Sequence, residues 1–384
     1  MIDPDEILLI PGPTTLSSRV RSAMARPQQS HVAPEFYNAF KESLELSRYL
    51  FGNRSGFQFI ITGSGTIGME ASAVSLIEPG DKVLSIETGY FGHRFSLLAE
   101  IHGAIVDTII CPLGKGPDLS EIESKLATGN YKILQFTHVD TSTSVMNDVS
   151  ALTKIAREHG VISVCDSVCG IGGAKVVFDE LGTDVVLTGS QKAIAAPPGA
   201  TLLAVSRKAM EVMETRKTRI ASYYMDLTRW KPIMEDPKIY LTTPAVQVIL
   251  GLHEALLTIK EEGLENRWKR HESIANAFRA GIEALGLKYL PDRNHVAPTV
   301  TTFYVPEGTN AGEIQESLRA NFAIHVARGF GEYKDTMLRV GHFGNISATD
   351  ILALLSALEM TLSKSATIAP GKSVESAMPI LKSA

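Results

Sequence analysis

Asp166 ends the apolar run Val161-Ile162-Ser163-Val164-Cys165, and Lys192 closes the segment Asp184-Val185-Val186-Leu187-Thr188-Gly189-Ser190-Gln191. They lie 26 residues apart, which is room for one strand, a short crossover and the next strand. A carboxylate and an amine brought into one pocket are the pair that pyridoxal phosphate (PLP) chemistry needs. The amine forms a Schiff base with the aldehyde, and the carboxylate keeps the pyridine nitrogen protonated, so that the ring accepts electrons from a substrate carbanion. In a chain with 42 acidic and 37 basic residues one such pair carries no weight alone. The flanking residues decide whether it does.

Lys192 is followed by Ala193-Ile194-Ala195-Ala196-Pro197-Pro198-Gly199, and no charge other than Asp184 and Lys192 themselves occurs from Asp184 until Arg207. An apolar surround lowers an amine's pKa, which suits a nucleophile and proton shuttle and fits a surface lysine poorly. Thr62-Gly63-Ser64-Gly65-Thr66 follows one strand pattern and opens a helical one. Its glycines permit a tight turn, and the N–H groups of a helix start attract an anion. Alone, this is equally a strand-to-helix turn with a Ser or Thr cap. Joined to Asp166 and Lys192 on later strands, it reads as a phosphate cradle at the carboxyl ends of a sheet. Phe91, just after the strand pattern 82–86, is an aromatic able to stack on a planar ring or to fill a core. Thr141, after the strand pattern 132–137, offers a hydroxyl at the same sheet edge or belongs to a polar loop. Arg339, in Leu338-Arg339-Val340-Gly341, has the forked donor geometry for a carboxylate, although a strand arginine also serves as an edge residue.

Hydrophobic residues make up 44% of the 384 positions and charged residues 21%, as in ordinary globular proteins, and the length predicts two domains. A net charge of −5 gives no footprint for nucleic acid or an anionic membrane surface. Cys111, Cys165 and Cys169 form no disulfide framework, and no Cys or His pair completes a zinc pattern. The acidic start Met1-Ile2-Asp3-Pro4-Asp5-Glu6 lacks a signal-peptide charge pattern, and no apolar run is long enough for a bilayer. The expectation is a cytoplasmic protein with neither nucleic-acid nor membrane partners and no metal.

Short apolar runs alternate with helical patterns from about 56 to 206, which predicts an α/β fold with a mostly parallel sheet covered on both faces. Strands are expected at Phe57–Thr62, Lys82–Ile86, Ala104–Ile110, Lys132–Thr137, Val161–Cys165, Asp184–Leu187 and Thr201–Ser206. Long helices follow from Pro244 to Leu285. The pattern then shifts to a small α+β unit, with strands at Thr299–Val305 and Met337–Gly341 and helices near 311–321 and 347–363. The last twenty residues are poorly patterned and are expected to fray.

In one order along the chain stand Pro11-Gly12-Pro13, Gly63-Ser64-Gly65, Pro79-Gly80-Asp81, Asp166-Ser167-Val168, Gly189-Ser190-Gln191-Lys192, Ala196-Pro197-Pro198-Gly199 and Leu338-Arg339-Val340-Gly341. With these the chain resembles the class V aminotransferases of the fold-type I PLP enzymes, closest to the alanine–glyoxylate and serine–pyruvate subgroup. The likeness runs from Pro11 to about Leu362. It implies an N-terminal segment (1–20) associated with the small domain and the active site, a large PLP-binding domain (21–258), a small C-terminal domain (259–364) and a tail (365–384). It also implies roles. Lys192 would be the Schiff-base lysine and proton carrier, and Asp166 would pair with the pyridine nitrogen. Val168 and Phe91 would flank the ring, Thr141 would contact its phenolic oxygen, and Ser64, Gly65, Thr66 and Gln191 would hold the phosphate. Tyr240 and Thr243 would reach the phosphate of a partner subunit, so that the active unit is a homodimer. Arg339 would bind the substrate carboxylate, and the segment around Gly12 would close over the substrate.

The implied reaction is a ping-pong transfer of the amino group of alanine or serine to glyoxylate or pyruvate. Three positions depart from the family pattern: Phe91 where Trp is common, Thr66 where some members have His, and Ala327-Arg328-Gly329 where a Gly-Gly pair is usual. Arg328 is the reason to weigh an aminotransferase for a phosphonate such as 2-aminoethylphosphonate. Cysteine desulfurases, by contrast, carry His before the lysine and a late reactive Cys; this chain has Gln191 and no Cys after Cys169. A catalytically silent binding protein on the same fold would be expected to have lost Asp166 or Lys192, and both are present.

Overall fold

The computed structural model describes residues 6–363 and 370–382. Its strands are β1 (Ile7–Leu8), β2 (Phe57–Thr62), β3 (Lys82–Glu87), β4 (Ile105–Ile110), β5 (Ile133–Thr137), β6 (Ile162–Asp166), β7 (Val185–Gly189), β8 (Ala200–Val205), β9 (Val300–Tyr304), β10 (Ile324–His325), β11 (Ala327–Arg328) and β12 (Met337–Gly341). Seven of them form one sheet in the order β2-β8-β7-β6-β5-β3-β4. Neighbours from β4 through β7 pair parallel, and β8 alone runs against β7 and β2. The protein is therefore α/β with a mostly parallel central sheet.

Both faces of this sheet are covered, which is why its strands read as apolar runs. Successive strand residues point to opposite faces. In β2, Ile60 joins a core with Phe36 and Phe40 of helix Pro34–Phe51 and Leu252 of helix Val246–Glu262. Phe59 and Ile61 point the other way, to Met69 of helix Gly65–Leu76 and Phe95 of helix Tyr90–Ile101. Each layer fixes one set of helices, and their N-termini emerge with the loops at the carboxyl edge of the parallel strands.

A second core gathers around the antiparallel sheet β11-β12-β9. Phe278, Phe303, Leu338, Val340 and Leu354 pack there, drawn from helices Leu264–Ala284 and Ala348–Leu362 and from the sheet itself. Gly263, at φ +80°, separates helix Val246–Glu262 from helix Leu264–Ala284. The chain start belongs to this second core. β1 pairs parallel with β10, Leu9 is fully buried, and its carbonyl accepts from Gly341 N at 2.8 Å.

The tail departs from expectation. Lys372–Lys382 is a helix rather than a frayed end. Its Ala377 is buried in the second core, and Glu359 accepts from Gly371 N at 2.9 Å and from Ser373 N at 2.8 Å. Val374, Ala377 and Leu381 supply a helical stripe that the surrounding Ser, Lys and Pro379 obscure. Residues 365–369, 383 and 384 of that tail lie outside the described residues. No helix among the described residues is long and apolar enough to cross a membrane.

Candidate active site

Strand ends bring the first groups together. Asp166 is the last residue of β6, in register with Thr137 of β5 and Leu187 of β7. Beyond β7 the chain turns through Ser190 to Lys192, and beyond β2 it turns through Ser64 into helix Gly65–Leu76. The loops after β3 and β5 deliver Phe91 and Thr141. Ser64, Gly65, Thr66, Phe91, Thr141, Asp166, Val168, Gln191 and Lys192 all line one cavity of about 540 Å³, its open mouth included. The same wall also carries Met69, Arg94, Val139 and Cys169.

Asp166 is 5% exposed and accepts from Val168 N at 2.9 Å. Burial, with a smaller contribution from Asp140, lifts its carboxyl to about 6, against the pull of Val168 N and of Lys192 and Arg94. Lys192 is half-buried, and its pKa is lowered, first by desolvation and then by Arg339. Its Nζ donates to the Pro11 carbonyl, and its own carbonyl accepts from Thr14 Oγ1 at 3.1 Å. A buried arginine of the second core steadies the turn beyond: Arg267, 1% exposed, donates to Gly172 O at 3.0 Å and Ala193 O at 2.5 Å.

The Pro11–Thr14 stretch therefore lies directly on the lysine. Gly12 has φ +91°, and a Cβ there would stand 2.6 Å from Lys192 Cδ and 2.8 Å from Nζ. Gly12→Ala strains the backbone and displaces the amine. Its kcat/KM is expected to fall roughly 10- to 100-fold, since small misplacements of a reacting group carry losses of that size. Steady-state kinetics at wild-type rates would show that this contact is not needed.

The phosphate cradle is open. Ser64 precedes helix Gly65–Leu76 in extended geometry, and its side chain makes no capping bond. The first-turn N–H groups of any helix lack intrahelical acceptors. Gln191 Oε1 is buried with no partner, and the same amide turned end for end presents its N–H2 donors there. Gly65 must be glycine for its neighbour's sake, because a Cβ would lie 2.7 Å from Val168 Cγ2. An orphaned buried amide end, an uncapped hydroxyl, a helix start, a buried acid opposite an amine and a ring wall at Phe91 match the phosphate, pyridine nitrogen, aldehyde and ring of PLP. The residues present fit the group.

Two charged residues of the site escaped the sequence reading. Arg94 lies within hydrogen-bond reach of Thr66 Oγ1 at 3.4 Å, and its guanidinium sits 4.9 Å from the Phe91 ring centroid. It stands three residues after Phe91 on one helix, a spacing that puts both on one face. Asp140 accepts from the N–H groups of Phe91 and Gly92, both at 3.0 Å, and so caps the helix that carries Phe91. It is fully buried, and burial raises its pKa against those bonds.

Other expected residues do not line the cavity itself. Arg339 sits on β12 of the small sheet, half-buried, and reaches across to Thr141 O at 3.1 Å while its Nε donates to Arg328 O at 2.8 Å. Arg328 does not line the cavity. It is exposed, with its guanidinium 3.5 Å from Asp335. Tyr240 and Thr243 do not line the cavity either; both are exposed, with their hydroxyls 3.3 Å apart.

Comparison with known proteins decides the family. The model of the aminotransferase class-V family matches residues 14–335. The chain belongs to the class-V aminotransferases. It is 33% identical to the alanine–glyoxylate aminotransferase of Oryctolagus cuniculus, over 94% of this chain and 93% of that one. The structure of ureidoglycine–glyoxylate aminotransferase from Bacillus subtilis superimposes with a TM-score of 0.95 at 29% identity, covering 100% and 99% of the two chains. Pyridoxamine–pyruvate aminotransferase from Mesorhizobium loti gives 0.93 at 27% identity, with the same coverage. The fold is that of the fold-type I PLP enzymes, the cofactor is pyridoxal 5'-phosphate, and the activity is that of a PLP-dependent transaminase acting on amino and oxo acids.

Proposed function

We propose that this aminotransferase moves the amino group of alanine or serine to glyoxylate or pyruvate. The observation that carries the reading is the cation set facing the site. Arg339 spends two of its five N–H donors on protein carbonyls, which leaves one N–H of Nη1 and both of Nη2 for one carboxylate. Arg328, the group that would greet an anionic side chain or a phosphonate, is turned to Asp335. Arg94 sits at the cradle end, beside Thr66, where its charge serves a phosphate. The relatives' acceptors, glyoxylate and pyruvate, support the same reading.

Bound PLP supplies an aldehyde that condenses with amines and a protonated ring that takes up the electron pair released at the substrate carbon. The chain's own groups do the rest. Ser64, Gly65, Thr66 and Gln191 hold the phosphate, and Phe91 and Val168 fix the ring plane. Thr141 offers its hydroxyl to the phenolic oxygen. Asp166 holds the proton on the pyridine nitrogen, and that counter-charge relieves the burial that now raises its pKa. Arg339 binds the α-carboxylate and so orients the Cα–H bond. Lys192, whose amine desolvation makes less basic, would take up the proton from the substrate Cα and hold it for return during the transfer. The segment around Gly12 covers the reacting atoms. We further infer a homodimer in which Tyr240 and Thr243 complete the partner's cradle; their exposure, away from their own chain's cavity, supports this. We propose unit boundaries near 20 and 258, with the tail helix Lys372–Lys382 counted in the second unit because Ala377 is buried in its core.

Steady-state assays with alanine, serine and 2-aminoethylphosphonate against glyoxylate and pyruvate test the proposal. The highest kcat/KM is expected for alanine or serine. A phosphonate that outperforms both would overturn the substrate assignment.

A further inference from the structure

Arg339 is long and flexible, yet its guanidinium must meet the carboxylate in one orientation. Two carbonyls accept in its plane, one from Nε and one from Nη1, and these bonds leave the plane free to tilt about the line that joins them. The face is held by Phe330. The Arg339 guanidinium carbon lies 4.3 Å from the Phe330 ring centroid, within cation–π range. Phe330 comes from the loop between β11 and β12, next to Gly331 at φ +54°.

The other side of the ring is also occupied. Tyr90 stacks on Phe330 with centroids 4.8 Å apart and planes 11° from parallel, and Phe91 meets it edge-on at 5.8 Å and 88°. Tyr90 and Phe91 open the helix that Asp140 and Ser142 cap, through Phe91 N, Gly92 N and Tyr90 N. Phe330 is thus gripped between the substrate arginine and the ring wall of the cofactor cavity. It ties the small sheet to the large one at the point where the carboxylate must dock. Nothing in the residue pattern around Ala327-Arg328-Gly329-Phe330 announces this contact, which exists only when the two sheets meet.

We propose that Phe330 is a positioning residue for the substrate carboxylate, acting by holding the face of Arg339 against the Tyr90–Phe91 wall. This rests on the reading of Arg339 as the carboxylate clamp, and it makes no demand on which amino acid is the donor. Loss of the aromatic face releases the guanidinium into several orientations. Carboxylate binding then weakens, while the proton transfer at Lys192 proceeds normally once a substrate is in place.

The test uses the PLP-loaded enzyme and two variants, Phe330→Leu, which keeps an apolar side chain of similar bulk without the ring, and Phe330→Tyr, which keeps the ring. For Phe330→Leu, KM for the amino acid is expected to rise about 10-fold with kcat within about 3-fold, the size expected for a desolvated cation–π contact. Phe330→Tyr is expected to stay within about 2-fold of wild type in both. The dissociation constant of a simple carboxylate, propionate, measured by calorimetry, is expected to rise by the same factor in the leucine variant. That measurement does not depend on turnover. If the wild-type enzyme used neither alanine nor serine, the substrate proposal would fail while the propionate result still judged Phe330. Unchanged propionate binding in Phe330→Leu, or a fall confined to kcat, would overturn the role proposed for Phe330.

Discussion

Lys192→Ala is expected to lower the rate of transamination by on the order of 10⁴-fold, because one side chain supplies both the amine nucleophile and the proton carrier. The same substitution should leave the fold intact. The Lys192 amine is held at a cost in desolvation and faces Arg339, so its removal relieves as much as it takes away. The variant should still bind PLP through Ser64, Gln191 and Asp166, more weakly and without the lysine linkage. Single-turnover kinetics with alanine or serine, alongside a thermal melt, separate these effects. A variant that melted normally and retained more than about a hundredth of the wild-type rate would remove Lys192 from the central role.

Asp166→Asn carries the second large effect, and it acts in opposite directions on activity and on stability. The side chain keeps an oxygen for Val168 N but loses the charge that holds a proton on the pyridine nitrogen. Breaking such a buried pair costs about 3–5 kcal/mol, so a loss of roughly 10²- to 10⁴-fold in kcat is expected. Stability of the PLP-free protein runs the other way. The Asp166 carboxyl is raised from 3.8 to about 6 in the folded chain. Between those values the folded state keeps a proton that the unfolded chain has released, so stability falls as pH rises through the window. Above about pH 6 the full cost of this buried charge is present, on the order of 3 kcal/mol at 1.36 kcal/mol per pKa unit. PLP-free Asp166→Asn should therefore be the more stable protein at pH 8 and lose that advantage near pH 4. Urea denaturation at the two pH values checks the sign. An advantage that grew toward low pH would contradict the origin assigned to the raised pKa.

The site was legible where one stretch of chain carries both the signal and the placement. β6 and β7 are buried on both faces, so they appear as unbroken apolar runs, and the polar residues ending them mark the sheet edge. The Ser64–Thr66 turn declares itself through its glycines. What stayed hidden depends on groups meeting from afar. The direction of β8 could not be read, since an apolar run looks the same in either sense. Asp140 is one polar residue of the loop after β5, and its value as a cap appears only when that loop meets the start of helix Tyr90–Ile101. Arg328 reads as a substrate group because it stands where the resembling family usually has a Gly-Gly pair. Strand alternation sends adjacent β-region side chains to opposite sides, and Arg328 finds Asp335 there. The tail helix was missed because its stripe is only three residues deep and Pro379 interrupts it.

The most direct test of the account is the absorbance spectrum of the purified, PLP-supplied enzyme before and after addition of alanine or serine without any oxo acid, compared with Asp166→Asn and Lys192→Ala. The account predicts a long-wavelength band in the wild type that the amino donor converts to a shorter-wavelength band, and that glyoxylate or pyruvate restores. Lys192→Ala should fail to make that cycle, and Asp166→Asn should make it slowly. A wild-type protein that showed no such band with PLP supplied, or a Lys192→Ala variant that cycled like the wild type, would contradict the assignment of chemistry to the pair Asp166 and Lys192.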